Sequence, residues 1–229
     1  MATLNEITYR ILGKLEVSSS DDTDIDLREI ESEVHKKRAL YVKQDLDKNR
    51  SVDQRLVQDL GCVELEVADR AECCDIEVDC DILRTVYEIP QPIELKHNNT
   101  IWAGPVDKLN YPFSFVSYEH AKFVGNGRFN KNSIFAFMRN NRIYLVSNNP
   151  DYLYLTHINV RGVFEDPTAA GVFTNCVTGS SCYSVDTEYP VNMWMLNLIE
   201  QEVYQEFLPK LKNFVDNSND GKDNKLPQK

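Results

Sequence analysis

The chain has 229 residues, with 36 acidic against 25 basic side chains and a net charge of −11, a length that suits one domain or two small ones able to build a core without disulfide staples. Hydrophobic residues make up 42% and charged residues 27%, an ordinary globular mix, so most of the chain is expected to pack. The acidic balance argues against a protein that grips nucleic acid by its phosphates, which takes Lys and Arg, and no apolar run approaches the ~18 residues of a helical membrane span.

The first predicted element is a short amphipathic helix. Thr3 and Glu6 stand at capping-box spacing, and Leu4, Ile7, Ile11 and Leu15 recur on one face. So short a helix is not stable alone, so that face must dock on something. The start has neither a basic nor an apolar leader pattern, from which a reducing setting is expected. Ser18 to Asp22 reads as a polar linker. A second helix is predicted from near Asp24 or Asp26 to about Asp47, with Ile30, Val34, Tyr41 and Val42 or Leu46 inward. Its acids fill the first half and its bases Lys36, Lys37, Arg38 and Lys43 the second, a placement that complements the helix dipole. After a break at Asn49-Arg50-Ser51, Asp53 to Leu60 reads as a final helical piece stopped by Gly61 as its C′ residue.

From Cys62 the period changes to two. Val63, Leu65 and Val67 alternate with Glu64 and Glu66; after a turn near Asp69 to Glu72, Cys74, Ile76, Val78, Cys80 and Ile82 alternate with Asp75, Glu77, Asp79 and Asp81. This is the pattern of a half-buried strand with one acidic face. Ile82 to Ile89 continues it or starts another strand, and Pro90 and Pro92 close the unit. A turn at Asn98-Asn99 precedes Thr100-Ile101-Trp102, and Ser117 to Val124 reads as a short helix ended by Gly125. Ser133 to Met138 and Arg142 to Val146 form a predicted hairpin through Asn140-Asn141, residues that tolerate the positive φ of a type I′ turn. A further strand is expected over Tyr152 to Phe164, and a helix from Tyr189-Pro190 to about Lys212 with Met195, Ile199, Val203, Phe207 and Leu211 on one stripe. The organisation is therefore α+β: a helical region over 1–60, a β-rich region over 61–189 with an antiparallel core, a C-terminal amphipathic helix over 190–212, and a disordered tail over 213–229.

The charge is unevenly placed. Glu16 to Glu33 carry eight acids and one Arg, net −7, and Asp59 to Asp81 carry nine acids and one Arg, net −8, so two segments hold −15 and the remainder is +4. Such a chain is suited to meet a second copy of itself, negative to positive, around a symmetric assembly. Asp75, Glu77, Asp79, Asp81, Lys36, Lys37, Arg38 and Lys43 are therefore the candidate subunit-interface or channel-facing residues.

Chemistry-bearing patterns are weak. Cys62, Cys73, Cys74 and Cys80 form no C-x-x-C pair, no His stands at a partner spacing, and Cys74 and Cys80 share a face with Ile76 and Val78, so buried thiols are expected rather than zinc. Cys176 and Cys182 flank a short turn and could be bridged only in an oxidising setting. Carboxylates two apart on a strand are too widely spaced for easy sharing of a hard cation. There is no nucleophile elbow, no His-Glu-x-x-His pair and no phosphate loop. No catalytic residue, metal or cofactor is assigned, and an enzyme is not expected.

The opening Leu4-Asn5-Glu6-Ile7, the helix running into Gln44-Asp45-Leu46, and then Asp59-Leu60-Gly61-Cys62-Val63-Glu64-Leu65 and Ala71-Glu72-Cys73 resemble the neck, or head-to-tail ring, structural proteins of crAss-like and related short-tailed bacteriophages, in order over residues 1 to about 210. The resemblance implies a non-enzymatic virion component, a portal adaptor. It would be assembled in the host cytoplasm and close into a ring of about twelve copies below the portal. It would contact the portal and adjacent neck or tail proteins, let DNA pass without specific binding, and touch no membrane. The alternative of a different class is a soluble acidic binding module, such as a DNA-mimicking inhibitor. A third and weaker option is a metal-assisted enzyme built on the acid ladder.

Overall fold

The computed structural model describes residues 2–16, 25–48, 52–68, 82–95, 100–107, 111–121, 123–125 and 127–212. The linker at 18–22, the acid ladder at 75–81 and the tail expected after 212 all lie outside these residues.

Helix α1 (Leu4–Glu16) forms as its spacing predicts. The Thr3 hydroxyl accepts the Glu6 N–H at 3.2 Å, and the Glu6 carboxylate accepts the Thr3 N–H at 3.2 Å, so two of the helix's orphan donors are satisfied reciprocally. Leu4, Ile7, Ile11 and Leu15 are all fully buried, each worth about 1.5–3 kcal/mol relative to exposure. Helix α2 (Leu27–Lys48) buries Ile30, Val34, Arg38, Val42 and Leu46, an unbroken i, i+4 row in which a guanidinium occupies the middle place.

Among the described residues the β-rich region makes one sheet of seven strands in the order β3-β7-β1-β2-β6-β5-β4. The strands are β1 (Gln58–Val67), β2 (Leu83–Thr85), β3 (Ile101–Pro105), β4 (Ser114–Phe115), β5 (Phe135–Arg139), β6 (Arg142–Val146) and β7 (His157–Gly162). All pairings are antiparallel except β4 with β5, so the sheet is mixed where a purely antiparallel unit is expected. The hairpin of β5 and β6 turns at Asn140 (φ 50°) and Asn141 (φ 57°), as the two asparagines imply. On the outer side of the edge strand β3, the Ala103 carbonyl accepts the Phe113 N–H at 2.7 Å. A one-turn helix α3 (Tyr118–Ala121) follows β4, shorter than the helix expected over Ser117 to Val124. With Val116 and Val124 it covers a small second core of Ala68, Ile82, Phe137, Tyr144 and Val146, where Phe137 and Tyr144 stack with centroids 5.1 Å apart. Helix α4 (Met193–Lys212) buries Met195, Ile199, Val203 and Phe207 and packs with α1 and α2 into one helical layer.

Two expected elements differ. Residues 54–56 form only a turn, and β1 begins at Gln58, inside the predicted helical piece. Gly61 does adopt positive φ (63°), but as an irregularity within β1, where the register against β7 shifts between Asp59 and Cys62. Pairing of Gln58 with Gly162 and of Asp59 with Arg161 outweighs the local helical spacing. The strand expected over Tyr152 to Phe164 is divided: Pro150–Tyr154 is a 3-10 turn capped by the Asn149 side chain, and β7 starts at His157. Asn before Pro is a helix-start signal that the aromatic alternation masks.

Candidate functional site

The four candidate bases of α2, Lys36, Lys37, Arg38 and Lys43, have three different fates. Lys36 and Lys43 are exposed, and Lys36 pairs with Glu33 one turn back. Lys37 turns toward α4, where its Nζ lies 2.9 Å from Glu206 and 3.8 Å from Glu202; the hydrogen bond to Glu206 raises its pKa above the usual lysine value. The Tyr41 hydroxyl donates to Glu202, and that bond pushes its pKa up to about 12. A further tie joins Lys210 to Glu29. Together these contacts zip α2 to α4.

Arg38 is not a surface base. It is fully buried, its Nε donating to the Pro190 carbonyl at 2.7 Å and its Nη1 to the Phe164 carbonyl at 2.7 Å, with the guanidinium 5.7 Å from the centroid of the Tyr189 ring. It therefore joins the helical layer to the ends of two segments, one leaving β7 and one entering α4. Burial lowers its pKa, yet a guanidinium keeps its charge, so carbonyl dipoles and the ring face act where a carboxylate usually would. The Tyr189 hydroxyl meets His35 Nδ1 at 2.9 Å, and His35 Nε2 lies 3.8 Å from Asp166. Burial lowers the His35 pKa, with Asp166 opposing and Arg38 assisting. Arg38 therefore drops out of the candidate interface set; its residue type assigns it to the polar face, although its place in the i, i+4 row with Val34 and Val42 points inward.

Of the acids, Glu66 is bonded to Arg84 at 2.9 Å with Arg142 at 3.7 Å, and Asp59 receives Arg161 Nε and Asn159 Nδ2, both at 2.9 Å. Asp75, Glu77, Asp79 and Asp81 lie outside the described residues. Among the described residues no three His, Cys, Asp or Glu side chains converge as a metal ion would need.

The cysteine pairing differs from the one considered in sequence. Cys62 on β1 is bridged to Cys176, with Cα atoms 5.0 Å apart, and Cys182 is free. The Cys62 N–H bonds the Thr174 carbonyl and the Cys182 N–H bonds that of Phe173, so the excursion from 173 to 182 lies along β1 and presents Cys176 to it. Burial first, then the Asp59 charge, raises the Cys182 pKa, which makes it a poor nucleophile.

The stretch from His120 to Arg142 carries five bases and no acid, a charge signal that was available without the fold, and its loop exposes Phe123 and Phe129.

Comparison with known proteins gives two findings. The sequence model of the family described as "Phage tail ring protein 2" matches residues 6–225. A curated relative, Ring protein 2 of Bacteroides phage crAss001, is 25% identical over 226 residues, which cover 96% of this chain and 97% of that protein.

Proposed function

The chain belongs to the phage tail ring protein 2 family of crAss-like phages, and from that membership we propose that it is the subunit of a closed ring at the virion neck, below the portal, joining capsid to tail around the DNA channel. It is a structural ring protein of the virion. The observation that supports the ring-subunit reading is the extent of the match, which spans the helical layer and the sheet alike and nearly the full length of the relative. The whole body of the subunit is thus the unit that is shared, as for a part whose shape is its function.

The structure supports this reading in two ways. The buried Arg38 binds the helical layer to the segments that leave β7 and enter α4, and the Cys62–Cys176 bridge separately ties β1 to the 173–182 excursion, cross-links that suit a subunit with a fixed shape. The chain is net negative, which repels phosphate and lets DNA slide without sticking. Ring closure around about twelve copies, with the portal and an adjacent neck or tail protein as axial partners, follows from the same reading.

Asp75, Glu77, Asp79 and Asp81 would serve either a neighbouring subunit's bases, Lys36 and Lys43 among them, or the channel wall. The two placements differ in outcome: charge reversal at these four positions disrupts ring assembly in the first case, and in the second leaves rings intact but makes them retain DNA. The proposal as a whole is tested by native mass spectrometry of the purified chain with and without portal, and by locating it in intact virions. Rings and density at the neck are the expected results. A chain that stays monomeric in both conditions and is absent from the neck overturns the reading.

A further inference from the structure

The most basic stretch of the chain leads into β5, next to the β4 edge of the sheet. Between His120 and Arg142 the net charge is +5 in a chain of −11, which leaves −16 for the rest. Two of its bases are committed inside the subunit. Arg139 donates to the Tyr118 hydroxyl at 3.0 Å and covers that ring at 4.7 Å, while Arg142 donates to the carbonyls of Thr85 and Val86 at 3.0 and 2.6 Å. Arg128 and Lys131 are exposed. They sit in the turns between α3 and β5 with two phenylalanines in solvent, Phe123 at 74% and Phe129 at 90% exposure. The Arg128 guanidinium lies 5.8 Å from the Phe129 ring centroid. Aromatic side chains flanked by arginine are the composition of an interface anchor.

We propose that the exposed Phe123, Arg128, Phe129 and Lys131 form one half of the contact between neighbouring subunits, and that they dock on the groove beside the first half of α2 in a second copy of this chain, against Glu31, Glu165 and Asp166. The proposal rests on the ring reading above. DNA is a poorer fit for the loop. Two exposed bases are few against the −16 carried elsewhere, and a phosphate backbone gives the phenylalanines no apolar surface to cover. The complementary surface is present on the same chain. Beside the first half of α2 lies a cavity of about 570 Å³ with Leu4, Ala39 and Val185 in its lining, together with Glu31, Glu165 and Asp166. Of the basic side chains on that wall, Lys36 is paired with Glu33, His35 faces Asp166 at 3.8 Å, and Arg28 stands exposed near the start of α2, which leaves Glu31 and Glu165 as the acids the loop would meet first.

The placement is also that of a head-to-tail contact, which needs different patches on opposite flanks. Glu165 and Asp166 follow β7, second in the sheet order, while the loop leads into β5, sixth. Four strand steps at about 4.8 Å each set the two roughly 19 Å apart across the sheet.

The test is a photo-crosslinking residue, benzoylphenylalanine, in place of Phe129 in the full chain, irradiated under assembling conditions and mapped by mass spectrometry. Crosslinks are expected between two copies, ending within residues 28–39 or 165–185 of the second. Crosslinks only to DNA or to a different virion protein, or none in particles whose mass shows closed rings, overturn the proposal. In parallel, Arg128→Glu combined with Lys131→Glu is expected to raise the concentration for half-assembly at least tenfold with the melting temperature unchanged. Unaltered assembly of that variant removes the loop's role and leaves the ring reading standing. An unsubstituted chain that never oligomerises, alone or with portal, removes both.

Discussion

Substituting alanine for Gly61 places a methyl group where β1 has no room for one. The residue has φ 63°, and a Cβ there would stand 2.7 Å from the Thr174 carbonyl oxygen and 3.0 Å from the Asn175 Cα. Both neighbours are backbone, held to β1 by the Cys62 N–H to Thr174 carbonyl bond and by the Cys62–Cys176 bridge, so neither can swing aside as a side chain would. A left-handed conformation costs an L residue about 1–2 kcal/mol, and overpacking adds about 1–3 kcal/mol. The expected loss is therefore about 2–5 kcal/mol. In a chain of this size each kcal/mol moves the melting temperature by roughly 2–4 °C, which places Gly61→Ala about 4–20 °C below the parent by circular dichroism. The control is Gly13→Ala in α1, where nothing lies within 4 Å of the added atom, and where helix propensity returns up to about 1 kcal/mol. A Gly61→Ala melt within 2 °C of the parent, or a Gly13→Ala loss as large as that of Gly61→Ala, refutes the reasoning.

Three other outcomes are expected. Arg38→Ala strips the donors from two inward-facing carbonyls, each costing about 1–3 kcal/mol, so the urea midpoint falls markedly; an unchanged midpoint would mean that the guanidinium's desolvation cancels both bonds. For His35, whose folded pKa lies below the ordinary value of 6.5, the unfolded chain binds more protons just below that pH. Stability is thus fully present above pH 6.5 and declines as pH falls toward the folded pKa; melts between pH 5 and 8 should show this slope, and His35→Gln should flatten it. Reducing the Cys62–Cys176 bridge, which closes a separation of 114 residues, should cost about 2–4 kcal/mol, read as a lower melting temperature with dithiothreitol that Cys176→Ser reproduces without it.

Helices α1, α2 and α4 were legible in sequence because their apolar rows recur at helical spacing over several turns and their docking partners do not alter that spacing. The hairpin at Asn140-Asn141 was legible because two asparagines announce a left-handed turn. What failed was non-local. Residues 58–60 carry helix-compatible spacing but pair with β7 about a hundred positions away, and Cys62 finds Cys176 for the same reason. Arg38 misled because residue type predicts exposure, whereas its place in the i, i+4 row with Val34 and Val42 predicts burial; the row was the better guide. Of the candidate interface residues, the acid ladder stood out through alternation alone, while the loop around Phe129 has no periodicity and is found only by asking which stretch lacks acids.

The ends of the sheet bear on how many copies can stand side by side without fusing. At one end β4 is two residues long, too short to template another strand. At the other, the exposed side of β3 is already engaged by the Phe113 N–H, and the strand ends on Pro105, which has no amide hydrogen to offer. Among the described residues neither edge offers a long free strand for addition, so copies crowded at high local concentration are steered away from runaway β-stacking. Their association is left to side chains, whose shape and charge set an angle between neighbours, and it is a fixed angle that makes a ring close instead of growing into a fibre.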